Sequence, residues 1–412
     1  MKRRLMDIVR CPACGDGVEL NVLSERSEQV TQAIESPRCS RWCSLHQRTI
    51  ADDEAFRPDC RGCYEREIDT GFLACDACQV IFPIIAGVPR LIRNAAEEYP
   101  EFFAHYRSAI ADIFGADKAV SAAGHADPAT FDRRSNESFT LQWERYQYDD
   151  RTWFKDDLNL RHQEFLYGMD VNADELHDSL VLDAGCGNGR LTSAIARFGC
   201  EVVGMDLSRS VERADRNRGA IAGDYSPMVH FIQGNVMEPP LAKETCDFVH
   251  SSGVLHHTSD PERALRSILA LARPRARIYV QLYRAREAWI GVPNRLIRSV
   301  TSRLPVGILY RLCYAAAPLH AALVLAVAWL RGEASPLRDA SNRERAISLF
   351  DNLSPRYQFR YRPREVRAMF RCAGVVNVKD VTLDNEKRHM VAFVGTKEAS
   401  NVSSQQSFGA AA

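Results

Sequence analysis

Val181-Leu182-Asp183-Ala184-Gly185-Cys186-Gly187-Asn188-Gly189-Arg190 runs from an apolar stretch through an acid into three alternate glycines, and Asp206 closes the next apolar run, Glu201 to Met205. Alternate glycines let a backbone turn sharply and approach a ligand that any Cβ would push away. Leu191, Ala194, Ile195 and Phe198 then keep helical spacing, so a helix start directs unpaired N–H groups at the same place. A carboxylate ending the second strand can accept both hydroxyls of a ribose. Type and spacing together describe a nucleotide-binding corner. A second chemistry sits near the start of the chain, where eight cysteines pair as Cys11-x-x-Cys14, Cys39-x-x-x-Cys43, Cys60-x-x-Cys63 and Cys75-x-x-Cys78. Thiolates two or three residues apart fit one side of a tetrahedral Zn²⁺, and two such pairs close the shell.

The glycine spacing decides which nucleotide. Dinucleotide enzymes favour G-x-G-x-x-G, but Arg190 stands where the third glycine belongs. An anionic pyrophosphate gains nothing from Asp183, whereas the ammonium and sulfonium of S-adenosylmethionine do. At this point the chain resembles the class I S-adenosylmethionine-dependent methyltransferases. The resemblance continues in order through Asp206, Gly234-Asn235-Val236, Asp247-Phe248-Val249, Leu255-His256-His257-Thr258 and Ile278 to Tyr283. It implies that Asp183, Gly185, Cys186, Gly187, Asn188 and Gly189 hold the methionine end, and that Asp206, with Leu207 beside it, binds the ribose. Asn235 would accept from the adenine amino group, with Val236 as a backbone contact. Many relatives carry Asp at the position of Asn235; the amide keeps the acceptor and loses the charge.

Methyl transfer from a sulfonium relies mostly on positioning, so the fold need not supply a fixed catalytic group. A hydroxyl or protonated amine must still lose its proton to a base. His257 and Tyr283 are the candidates taken forward, with His256 beside them. Asp351 and Tyr357 belong to Asp351-Asn352-Leu353-Ser354-Pro355-Arg356-Tyr357, which resembles a segment bordering the active site in related enzymes.

These residues require an α/β frame. Apolar runs near 180–184, 201–205, 228–233, 246–251 and 276–282 alternate with helical patterns, which predicts a doubly wound, mostly parallel sheet. A helix over Pro363 to Cys372 and two strands, Val375 to Val381 and Met390 to Gly395, would complete seven strands with the closing hairpin of the methyltransferase sheet. The expected organisation is a cysteine-rich module over 1–93, a linker over 94–138 with a short helix near Tyr99 to Phe114, a methyltransferase domain over 139–397, and a disordered tail over 398–412. Trp143, Tyr146 and Tyr148 are candidates for a lid over the cofactor, and Leu158 to Met169 has helical spacing. Residues 284–350 form an insertion after the fifth strand, on the carboxyl side of the sheet where ligands bind; it should be helical and shape acceptor specificity.

Within that insertion, Leu312 to Leu330 has nineteen residues without a formal charge, between Arg311 and Arg331. That reaches the minimum for a membrane span. Its seven alanines, Pro318 and His320 argue instead for a helix buried in the lid, with a peripheral membrane contact as the alternative.

The module's outer parts, Val9 to Cys14 and Cys75-Asp76-Ala77-Cys78 running into Ile81 to Leu91, resemble the zinc-ribbon family that activates transfer-RNA methyltransferases. About 60 extra residues between the outer pairs carry the inner four cysteines. Two readings stay open: two nested ribbons with a structural Zn²⁺ each, or one zinc site with the inner thiols unligated. His46 could replace a cysteine.

Charge is balanced, 53 basic against 53 acidic residues, so nothing global argues for nucleic acid. Thiol pairs and the lack of a signal-length apolar segment before Cys11 suggest a cytoplasmic protein. Arginine is concentrated locally: nine between Arg273 and Arg311 against one acid, Glu287. Arginine suits phosphate or carboxylate recognition. The favoured reading is O- or N-methylation of a small-molecule, glycan or lipid-linked acceptor, anionic if the arginines serve it. An RNA methyltransferase competes, on the zinc module and the arginines, although Ser251-Ser252-Gly253-Val254 stands where a flipped-base motif of Asn-Pro-Pro-Tyr type would be. A non-catalytic zinc-ribbon adaptor is the third reading, opposed by the intact glycine loop.

Overall fold

Reversals at the outer cysteine pairs organise the first ninety residues. Cys75 ends a strand and Cys78 lies in the tight turn to the next, where Gln79 takes a positive φ of 54°. The computed structural model describes residues 1–30, 39–50, 60–114, 130–146, 158–285, 296–330, 332, 335, 337–384, 386–387 and 389–399. The N-terminal strands are β1 (Glu19–Ser27), β2 (Trp42–Cys43), β3 (Arg48–Thr49), β4 (Arg66–Cys75), β5 (Val80–Ile85) and β6 (Val88–Leu91). β1, β4, β5 and β6 form an antiparallel meander in space, and β2 with β3 makes a separate small hairpin.

The apolar runs of the second part become β7 (Leu180–Ala184), β8 (Glu201–Asp206), β9 (Val229–Gly234), β10 (Cys246–Ser252) and β11 (Ala272–Tyr283). All five are parallel, and helices cover their faces as near-continuous apolar strands require. β12 (Val375–Asp380) and β13 (Met390–Lys397) close the sheet, with β13 antiparallel to both β11 and β12. The seven strands run in the order β9-β8-β7-β10-β11-β13-β12.

The meander and the seven strands are one sheet. β6 pairs in parallel with β9, Arg90 opposite Gln233 and Leu91 opposite Gly234, giving eleven strands among the described residues. β9 would otherwise be an open edge with unpaired backbone groups. One apolar core runs through both parts, joining Leu5, Ile68 and Phe82 to Leu182, Ile232 and Leu271.

The expected linker is more structured than its composition suggests. Helices Ala95–Glu98, Pro100–His105 and Arg107–Phe114 follow β6, with Tyr99 and Phe102 buried against Ile92 and Ala95. The helix Arg133–Arg145 begins at Asp132, whose carboxylate accepts the Ser135 N–H at 3.0 Å. The insertion is helical over 296–301, Val306–Leu330 and Asn342–Leu353, the last opened by a Ser341/Glu344 capping box.

One expectation is corrected. The helix carrying Leu312 to Leu330 is not buried in a lid. Leu309, Cys313, Ala317 and Ala321 form its buried stripe, while Leu319, Leu323 and Leu330 are exposed. Composition gave its apolarity; no neighbour exists among the described residues to cover the rest of its surface. Tyr148, residues 286–295 of the arginine-rich run and the tail from 400 onward lie outside the described residues.

Candidate functional site

The carboxyl ends of β7, β8, β9 and β10 meet in a cleft of about 130 Å³, lined by Gly185, Asp206, Leu207, Asn235, Val236 and His257 together with Thr130, Asp132, Ser135, Asn136, Phe139 and Trp143. The glycine loop explains its own sequence. Gly185, Gly187 and Gly189 take positive φ values of 89°, 54° and 73°. A Cβ on Gly185 would sit 2.1 Å from Val254 Cγ2, and one on Gly187 would sit 2.6 Å from the Trp143 ring. The loop after β10 and the helix Arg133–Arg145 therefore both press on it.

Asp206 lies at the cleft floor. Its Oδ2 accepts the Gly187 N–H at 2.9 Å, and its Oδ1 accepts from the Ser208 N–H at 2.8 Å and the Ser208 hydroxyl at 2.6 Å. Burial pushes its carboxyl above the ordinary value, against the pull of those donors. Asn235 donates from Nδ2 to the Thr130 carbonyl at 2.9 Å and accepts the Met237 N–H on Oδ1 at 3.0 Å. Asp206 Oδ2 and Asn235 Oδ1 each accept one of these bonds and keep a second lone pair for a ligand, while Asp206 Oδ1 already accepts two.

Asp183 is placed differently. It is buried behind the loop, accepting from Thr192 Oγ1 at 2.6 Å and from His250 Nδ1 at 2.9 Å. His250 stacks flat on Tyr279, centroids 4.9 Å apart. Asp183 thus ties β7 to β10 and to the helix after the loop. Cys186, Asn188 and Gly189 are also buried behind the cleft, and burial raises the Cys186 thiol well above its ordinary pKa.

A second cluster borders the cleft. His257 Nδ1 lies 2.9 Å from the Tyr357 carbonyl oxygen. A carbonyl only accepts, so Nδ1 carries the proton and Nε2 keeps its lone pair. Burial lowers the His257 pKa, partly opposed by Asp351 and the Tyr357 bond. Phe139 packs edge-on against its ring at 5.1 Å. Tyr283 donates its hydroxyl to Asp351 Oδ2 at 2.8 Å, and burial, then Asp351, pushes its pKa well up. His256 packs against Tyr283 at 4.0 Å, with neither ring nitrogen bonded among the described residues. Arg298 holds the turn that carries Tyr357, donating to the Asn352 and Pro355 carbonyls at 2.5 and 2.6 Å.

Sequence reasoning missed Thr130, Asp132, Ser135 and Asn136 because they fell in the presumed linker. The available signal was Asp132-x-x-Ser135, a helix start just before the aromatic stretch. The helix they begin is pinned at both ends: Arg134 donates to the Leu304 and Ser354 carbonyls, and Arg213 to those of Trp143 and Tyr146.

Cys11, Cys14, Cys75 and Cys78 bring their sulfurs within 4.8 Å of one another, the one such group of four ligand atoms among the described residues. Tetrahedral zinc at 2.3 Å from each sulfur needs separations of about 3.8 Å, so the set fits. Backbone N–H groups of Ala13 and Asp16 point at the Cys11 and Cys14 sulfurs at 3.4 and 3.5 Å. Cys39, Cys43, Cys60 and Cys63 are all buried but less tightly gathered, and Cys43 Sγ lies 3.1 Å from His46 Nδ1.

Comparison with known proteins agrees with this layout. Residues 182–280 match the model of a methyltransferase domain, and residues 2–87 match that of Trm112p-like proteins. The ubiquinone biosynthesis O-methyltransferase of Proteus mirabilis (strain HI4320) is 30% identical over 121 residues, 28% of this chain and 47% of that protein. The same-named protein of Aliivibrio fischeri (strain MJ11) is 30% identical over 109 residues, 26% of this chain and 45% of that protein. The chain spans under half the length of these curated relatives. Among solved structures, magnesium protoporphyrin IX methyltransferase from Synechocystis PCC 6803 with bound SAH aligns at 15% identity and a TM-score of 0.39, covering 64% of this chain and 98% of that one. The chain thus joins a segment that matches a methyltransferase domain, residues 182–280, to one that matches Trm112p-like proteins, residues 2–87.

Proposed function

We propose that the cleft binds S-adenosylmethionine and that the protein methylates a hydroxyl or amine of a small-molecule, glycan or lipid-linked acceptor. The observation that carries this reading is Asp206, fixed by Gly187 and Ser208 at the floor of a cleft that Asn235 and His257 also line. Asp206 would take the ribose hydroxyls, Asn235 and Val236 the adenine, and the 185–189 loop the methionine end. S-adenosylmethionine supplies a methyl group on a sulfonium, and the electron pair of the broken C–S bond goes to sulfur. His257 takes the acceptor's proton on Nε2, and Trp143 and Phe139 exclude water. Tyr283, Asp351 and Arg298 hold the surroundings of that base.

The relatives named for ubiquinone biosynthesis support a small organic acceptor. An RNA acceptor is the second reading, favoured by the Trm112p-like domain. Arg298 does not favour it, since its guanidinium is engaged by backbone carbonyls. We also propose one structural Zn²⁺ on the outer cysteines and a second on Cys39, Cys43, Cys60 and Cys63; such thiols suit a cytoplasmic location.

Calorimetry should detect S-adenosylmethionine binding, and Asp206→Ala should weaken it by roughly 1.5 to 3 kcal/mol, the scale of hydrogen bonds to a charged group. Labelled cofactor incubated with the full chain should deliver its methyl to a polar-metabolite or lipid extract. Incorporation into RNA alone would select the second reading, and unchanged affinity in Asp206→Ala would remove the ribose assignment.

A further inference from the structure

Eleven of the sixteen large apolar side chains exposed among the described residues lie between Leu296 and Leu330. They sit on the helix 296–301 and on Val306–Leu330, whose 25 residues span about 37 Å. The long helix is anchored by one stripe, with Leu309 and Cys313 packed on Phe350. At 100° per residue, Ile308, Leu312, Leu319, Leu323, Val327 and Leu330 fall beside that stripe within about 100° of arc. Each of these six is between 47% and 75% exposed. Soluble proteins rarely leave so continuous an apolar surface to water.

Charge identifies what covers it. Residues 296–330 contain Arg298, Arg303 and Arg311 and no carboxylate, and Arg303 and Arg311 are exposed. At the root of the helix a recess is lined by Arg134, Glu137, Ser299, Ser302, Arg303 and Arg356, three guanidinium groups against one acid. Tyr314 and Trp329, both exposed, add rings that prefer a lipid–water boundary. An apolar stripe edged by cations complements an anionic bilayer, whose acyl layer takes the leucines and whose phosphates take the arginines. A second copy of the chain would set the same cations against one another across a two-fold axis. The Phe350 anchor keeps the helix against the domain, which fits a helix lying in the interface and not one crossing the membrane.

We propose that the surface from Leu296 to Leu330 docks this protein, as a monotopic contact, on an anionic phospholipid bilayer. The proposal goes beyond methyl transfer, and its test needs neither cofactor nor acceptor. The full chain is floated with vesicles of phosphatidylcholine mixed with phosphatidylglycerol, and with phosphatidylcholine alone, and its mass is measured without vesicles. We expect a monomer that floats with the mixed vesicles. Leu319→Glu/Leu323→Glu should weaken binding about tenfold or more, and Arg303→Gln/Arg311→Gln about fivefold for each arginine lost. An unchanged thermal midpoint in both variants would show that the fold survives. Failure of the wild-type chain to float overturns the proposal, as does equal flotation of the leucine variant. A soluble oligomer that the leucine variant turns into a monomer, with no flotation, assigns the surface to self-association instead.

Discussion

His256 and His257 are neighbours in sequence, and their environments give them different chemistry. His256 is fully buried against Tyr283, and burial, then His257 and Arg360, holds its pKa well below the ordinary value. His257 has its Nδ1 proton committed to Tyr357 and its ring at the cleft wall. His257→Ala should therefore lower kcat by about 10²- to 10⁴-fold, the usual contribution of a general base, with cofactor affinity little changed. Only neutral imidazole can take a proton, and burial lowers this one's pKa. The kcat/KM profile should stay level as pH falls through about 6.5 and drop only below it. A break above that value, persisting in His257→Ala, would assign the base elsewhere. That Asp206, Asn235 and His257 would meet at one cleft was legible because strand-end motifs carry them in fixed order. The bond between Asp183 and His250 was not, since it spans two strands 67 residues apart in sequence.

Elements were legible where period and turn chemistry agreed, and obscure where neighbours decide. The strands β7 to β11 were marked by apolar runs between helical patterns. The helix Arg133–Arg145 was hidden by a polar sequence, Arg133-Arg134-Ser135-Asn136-Glu137, whose clearest sign is the Asp132 cap. The helix Val306–Leu330 could be read from composition, but composition does not say which face is covered. The β4–β5 hairpin makes the opposite case, because its cysteines state their own geometry. Zinc binding contributes about 10 to 16 kcal/mol to folding in small zinc peptides, so one ligand lost should release the metal. Metal analysis of the full chain should return two Zn²⁺, and Cys75→Ser and Cys39→Ser should each retain one. One zinc in the wild type, kept by Cys39→Ser and lost by Cys75→Ser, would make the inner cysteines plain buried thiols.

At the scale of the whole molecule, the pairing of β6 with β9 turns two matched families into one sheet and one core. No residue pattern announces it, because an edge strand looks the same whether or not another strand lies beside it. The joint is reinforced by a buried polar network: Glu201, opening β8, accepts from Tyr64 at 2.8 Å and His230 at 2.8 Å and pairs with Arg4 at 3.1 Å. Burial alone would raise the Glu201 carboxyl; Arg4, His230 and Tyr64 bring it down to about 2. A carboxyl lowered by folding stabilises the native state above its unfolded pKa, about 4.5, and that stability is lost as pH falls toward about 2. His256 and His257, held neutral by burial, act earlier: the unfolded chain takes up their protons first, so stability declines once pH drops below about 6.5. Denaturant titrations should therefore show a first loss below about pH 6.5 and a second below about 4.5. Glu201→Gln should remove much of the second and cost about 3 kcal/mol at neutral pH, because Arg4 would lose its main buried counter-charge. With one shared core, tryptophan fluorescence and zinc release should follow a single transition in both proteins. Two separated transitions in the wild type would mean that the continuous sheet does not couple the two parts.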